Sequence, residues 1–212
     1  MVHVQVLEKG YDYEIFSVVA LFYPKNEIVL SSSQPPDRFP GVFLLIKPVM
    51  SEGEKHIKVL LKAGSLSLES LVSCQETAAG DEFEKRKSIK MELKRQIYML
   101  ISKALERNLP WGVLTGIRPA KLVHEMLKEG KDREAVIEKL TGYYMVSGNK
   151  ARLLYDTARA EEKVLRQAGE DLISIYIGIP FCPTRCLYCS FTSDPISKYP
   201  HLVDAYLDAL KK

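Results

Sequence analysis

Three of the four cysteines of this chain, Cys182, Cys186 and Cys189, fall within eight residues and are spaced C-x-x-x-C-x-x-C. Three thiolates this close on one loop can wrap a single metal centre. A structural zinc takes four protein ligands, usually as two separated pairs; here there is a triplet and no second pair, although His201 or Cys74 could be recruited as a fourth. A C-x-x-C redox pair over Cys186 and Cys189 leaves Cys182 without a role. A cubane 4Fe-4S cluster held by three thiolates fits the spacing better than zinc, redox use or packing. It leaves one iron without a protein ligand, open to a substrate or cofactor.

The elements around the loop predict how it is held. Residues 172–179 form an apolar run that reads as a central strand buried on both faces, as in a parallel sheet. Pro180 ends it. After the cysteines, Leu202, Val203, Tyr206, Leu207 and Leu210 are helically spaced. A single strand–loop–helix cannot bury its own faces, so residues 169–212 are expected to open a domain that continues beyond them.

The wider string Y-I-G-I-P-F-C-P-T-R-C-L-Y-C-S-F resembles the radical S-adenosylmethionine superfamily, and within it the oxygen-independent coproporphyrinogen III oxidase branch. The preceding P-W-G-V-L-T-G-I-R-P-A-K-L is similar to the HemZ-type coproporphyrinogen dehydrogenases of that branch. The resemblance implies that Cys182, Cys186 and Cys189 ligate three irons and that S-adenosyl-L-methionine chelates the fourth. It places Tyr188 near the adenine and Tyr176 near the sulfonium, with Pro180 and Phe181 shaping the loop. Gly178 departs from the pattern, which usually has histidine there. The implied reaction begins with reductive cleavage of the bound sulfonium to a 5′-deoxyadenosyl radical. It ends with oxidative decarboxylation of coproporphyrinogen III propionates to vinyl groups, giving protoporphyrinogen IX. The implied partners are a tetrapyrrole substrate and an electron donor such as flavodoxin or ferredoxin. The alternatives are a haem-binding or haem-delivery protein of the same branch, and a non-catalytic zinc or interaction module. On the family pattern the chain reads as an N-terminal fragment: an accessory region followed by the first strand, loop and helix of an incomplete (β/α) barrel.

The remainder reads as an α/β fold. Residues 1–65 form a small α/β domain, with strands at 2–6, 27–31, 42–49 and 56–63, a helix within 11–23, and a turn at 50–55. Residues 66–80, rich in Ser, Thr and Ala, read as a linker, and Cys74 within it as a small packing residue. Residues 81–168 are expected to be helical. Asp81 and Glu84 suggest a capping box, and Ile89, Leu93, Ile97, Leu100 and Ala104 form a stripe. Pro119 suits a first helical position and Gly130 a C-terminal cap. Asp132 suits an N-cap. Leu153, Leu154, Ala158 and Val164 suggest the inward face of the last helix. Trp111, the single tryptophan, reads as a core or interface anchor. Arg118, just before a helix start, is a candidate anion contact, with a salt bridge or packing role as the alternative.

Composition excludes several classes. A hydrophobic fraction of 46% and charged fraction of 27% are ordinary for a globular protein. A net charge of +3 with interspersed signs gives no basic patch for nucleic acid. The longest apolar runs are too short to span a bilayer, and residues 1–9 do not read as a secretory leader. The expected location is the cytoplasm, where clustered cysteines serve metals or catalysis more often than disulfides.

Overall fold

The computed structural model describes residues 1–33, 41–74, 82–115, 118–165, 173 and 175–211. The chain divides into two compact units, Met1–Arg166 and Gln167–Lys212.

The first unit is mixed α/β. Its sheet has the order β2-β1-β3-β4-β5, formed by β1 (Val2–Val6), β2 (Ile28–Ser31), β3 (Val42–Ser51), β4 (Glu54–Ala63) and β5 (Leu66–Ser73). β1 runs parallel to both β2 and β3, and helix α1 (Asp12–Val19) provides the crossover from β1 to β2. The other pairs are antiparallel. Strand alternation puts one apolar row on one face: Val4 pairs with Leu44, Leu44 with Leu61, and Leu61 with Leu68. Along the strands, Val2, Ile46, Ile57, Val59 and Val72 complete that buried face.

Three expectations need correction here. The hairpin between β3 and β4 turns on Glu52 and Gly53 alone, both at positive φ (53° and 82°), rather than over six residues. Two left-handed residues match the twist of the flanking strands. Residues 66–73, read as linker, are the strand β5. Its serines hide the strand pattern, but it is a sheet edge with only one neighbour, so little apolar surface is needed. The helix expected within 11–23 is shorter, ending at Val19. The proposed cap at Asp81 lies outside the described residues.

The long helix α2 (Glu82–Leu105) lies against β4, β5 and α1 and buries Ile89, Leu93, Ile97, Tyr98 and Ile101. Glu14 of α1 pairs with Lys90. Lys94 is half-buried beside them, and its ammonium donates to Thr115 Oγ1 at 2.8 Å.

A second core follows in the same unit, built from α3 (Pro119–Lys128), α4 (Arg133–Glu138) with a π-helical turn at Lys139–Tyr143, and α5 (Gly148–Leu165). The punctuation residues act as expected. Pro119 opens α3, Gly130 has φ 79°, and Asp132 Oδ1 accepts from Ala135 N at 2.8 Å. On α5, Ala151, Leu154 and Ala158 are buried, but Leu153 and Val164 are 51% and 67% exposed, against the inward face expected of them.

The two cores meet at the segment 109–114. Tyr98 Oη accepts from Leu109 N at 2.8 Å, Val113 N donates to Tyr144 O at 3.0 Å, and Ser147 N donates to Pro110 O at 3.0 Å. Gly112, at φ 54°, sits where a Cβ would run into the backbone of Tyr144 and Met145. No described helix is long and apolar enough to cross a membrane.

Two outcomes follow. Gly112→Ala meets both left-handed strain and a backbone clash, so urea unfolding should show a loss of more than about 2 kcal/mol. Desolvation holds the Lys94 pKa below its ordinary value of 10.5, so the unfolded chain binds more protons at this site over the interval between the two. Stability should therefore gain a rising contribution with pH through that interval, ending near 10.5. Lys94→Met should remove that slope in alkaline denaturant titrations.

Candidate metal centre

In the second unit the cysteines sit on a loop closed at its base. Phe181 and Cys182 form β6, which pairs in parallel with β7, Asp194 and Pro195. Asp194 N donates to Pro180 O at 2.7 Å, and Ile196 N to Cys182 O at 2.8 Å. Prolines at 180, 183 and 195 fix φ and remove competing donors around this closure. A short 3₁₀ turn, Pro200–Leu202, leads into helix α6 (Val203–Leu210).

Helix α6 grips the loop through Tyr206. Its hydroxyl donates to Gly178 O at 2.6 Å, and its ring meets Phe181 edge-on with centroids 5.5 Å apart. The sequence shows Tyr206 only as one member of a helical stripe. Its anchoring role had no separate signal.

The three thiols occupy different places on the loop. Cys182 is at its base, half-buried; Cys186 is exposed; Cys189 is half-buried. Cys189 N donates to Cys186 O at 3.0 Å, which turns the chain between the second and third cysteines. Ser193, itself buried, donates from Oγ to Cys189 Sγ at 3.5 Å. That hydrogen bond, then a backbone hydrogen bond at Phe191 and the charge of Arg185, hold the Cys189 thiol below its ordinary pKa. Stabilised thiolate is the metal-binding form.

All four cysteines are free thiols. Three soft sulfur donors on one loop suit iron–sulfur or zinc chemistry and disfavour magnesium or calcium, so the donor set fits a thiolate-bound cluster. The side chains are not gathered around one point: among the described residues no three His, Cys, Asp or Glu groups could hold a metal ion together. Cys74 belongs to the other unit. It packs against the sheet core, and burial raises its pKa.

The apolar run before the loop differs from the expected buried strand. Among its described residues, Ile173, Ile175, Tyr176, Ile177 and Ile179 are 59% to 88% exposed and form no strand. A strand buried on both faces needs neighbours for its backbone groups, and no described strand pairs with it. Tyr176 and Tyr188 are likewise 82% and 89% exposed. Tyr188 shares the loop with the cysteines, and Tyr176 precedes it.

A three-thiol loop closed by a strand pair on a mixed α/β chain is the class of feature the geometry defines. No family model matches the chain, and no solved structure matches it. Among curated proteins, the chain is 27% identical over 193 residues to the oxygen-independent coproporphyrinogen-III oxidase-like protein HemZ of Bacillus subtilis (strain 168). The match takes in 90% of this chain and 37% of the relative, so the chain spans little more than a third of the length of that curated protein.

Replacing Tyr206 with Ala removes both the bond to Gly178 and the edge contact with Phe181. The amides of Asp194 and Ile196, which close the loop, should then exchange roughly fivefold faster or more, as loss of about 1 kcal/mol implies. Residue-resolved hydrogen exchange measures this.

Proposed function

We propose that this chain carries the cluster loop and an accessory region of a radical S-adenosylmethionine enzyme acting on coproporphyrinogen III. The observation that carries the reading is the set of three free thiols on one closed loop, spaced C-x-x-x-C-x-x-C, in a chain similar to a coproporphyrinogen-III oxidase-like protein. In this reading Cys182, Cys186 and Cys189 each hold one iron of a 4Fe-4S cluster, and S-adenosyl-L-methionine takes the remaining one. When bound, the pair supplies one-electron cleavage of the sulfonium and hydrogen abstraction from a propionate side chain.

The chain's own residues hold and orient. Ser193 and Arg185 favour the Cys189 thiolate, the form that ligates. The closure at Pro180–Asp194 and Cys182–Ile196 sets the loop's width. Tyr206 fixes the backbone at Gly178, where the family pattern has histidine, so no imidazole is available there to contact substrate or carry a proton. Tyr188 on the loop and Tyr176 before it supply aromatic surface for the adenosyl group. Their exposure leaves them free to take up such a contact. In this reading the cysteine loop and α6 belong to the start of a (β/α) barrel, and residues 1–168 are accessory to it. A flavodoxin or ferredoxin serves as electron donor, and the cytoplasm is the setting.

Anaerobic reconstitution tests the reading. The chain should take up roughly four iron and four sulfide, with a broad absorbance near ~400 nm, and Cys186→Ala should abolish it. S-adenosyl-L-methionine should perturb the reduced cluster's EPR spectrum. One zinc per chain with no iron, unchanged by sulfide, would overturn the proposal.

A further inference from the structure

The first unit holds a cavity that the cysteine loop does not use. It has a volume of about 810 Å³ and lies between α3 and α5, with Trp111 in its wall. That size falls within the range of small-molecule sites. Leu154 is buried in its lining, while Leu153 and Val164 expose their side chains into or beside it.

The polar lining is asymmetric. His124 Nε2 and Glu161 Oε2 lie 2.8 Å apart and bridge α3 to α5, so the lining carboxylate of Glu161 is hydrogen-bonded to an imidazole. Arg118 also lines the cavity, is exposed, and has no ion-pair partner among the described residues. Lys121 stands in the same lining, loosely paired with Glu125 at 3.8 Å. Lys150 lies over the Trp111 ring, 5.2 Å from its centroid, and adds positive charge at that wall. The cavity therefore joins an apolar and aromatic surface to a lip that carries Arg118 and Lys121, with the His124–Glu161 pair across the lining.

We propose that this cavity binds a flat, conjugated organic anion, with the ring system against Trp111 and Leu153 and a carboxylate toward Arg118 and Lys121. The ring buries apolar area that Leu153 and Val164 now expose to water. The carboxylate meets a guanidinium able to bind it through two parallel hydrogen bonds. A neutral ligand of the same shape gains only the first contribution. The inference is independent of the cluster proposal, because no cysteine enters it.

The single tryptophan provides the measurement. The chain is titrated with 1-pyrenebutyrate and, separately, with the neutral 1-pyrenebutanol, following quenching of Trp111. The acid should quench saturably and bind roughly fivefold more tightly than the alcohol or better. Arg118→Gln should cut that preference at least in half and leave alcohol binding unchanged. Trp111 also lines a second cavity of about 580 Å³ toward α1, so Leu153→Asp, which touches only the first, should weaken both probes. Circular dichroism and melting of each variant establish that the fold is retained. Absence of saturable quenching overturns the proposal. So does equal affinity for acid and alcohol, or a response unchanged by either substitution.

Discussion

A backbone-to-backbone approach at Gly112 is the constraint on which the first unit depends. The sheet core and the helical core are each built from local patterns, and among the described residues they share the segment 109–114 and Tyr144, which lies against it. Val113 is buried with the sheet and α2, whereas Trp111 and Leu114 pack against the helical core. The crossing is possible because residue 112 has no side chain and the chain at 144–145 lies directly against it. Met145 itself takes φ 58°, an uncommon conformation for a residue with a Cβ, to complete the contact. Strain at one residue is tolerated where bonds on both sides hold it, here Val113 to Tyr144 and Ser147 to Pro110. The result is one compact unit from two differently patterned halves.

The second unit is organised by a different balance. Among its described residues no hydrophobic side chain is buried, and only Ser193 is. Its order rests on directional bonds: two backbone bonds across the loop base, the turn at Cys186–Cys189, and the grip of Tyr206. Such bonds contribute about 1 kcal/mol each in net terms, so they shape a loop without making it rigid. A ligand bound by several of its side chains at once would add a further constraint, as metal-binding loops couple order to occupancy.

Local signals were legible wherever a residue acts through its own backbone or its immediate period. The alternation at residues 2–6, the proline opening α3 and the aspartate capping α4 are local in this sense. So is the cysteine spacing, which depends on loop length alone. What escaped depends on partners distant in sequence. β5 is an edge strand whose serines carry no alternation, and it becomes a strand because the edge of β4 away from β3 pairs with it over His56–Ala63. The run at 173–179 has the composition of a buried strand, yet burial is a property of neighbours, and the described residues supply none. Tyr206 looked like one apolar position among five, because a hydroxyl's partner 28 residues away leaves no periodic trace.

The same limit explains the cavity beside Trp111. A stripe at helical spacing reports that a face is apolar; it does not report what covers it. Helix α5 has 18 residues and α3 only 10, about 27 Å against 15 Å at the rise of an α-helix. The shorter helix cannot cover the longer one along its whole length. Where the two are in register, Leu154 and Ala158 are buried; toward the end of α5, Val164 is not. The His124–Glu161 pair marks where the helices are still joined. Val164 lies beyond that joint, and Arg118, with no ion-pair partner among the described residues, lines the same cavity. The mismatch in helix length leaves the end of α5 without cover from α3, and the charge beside it is what the proposed anion would meet.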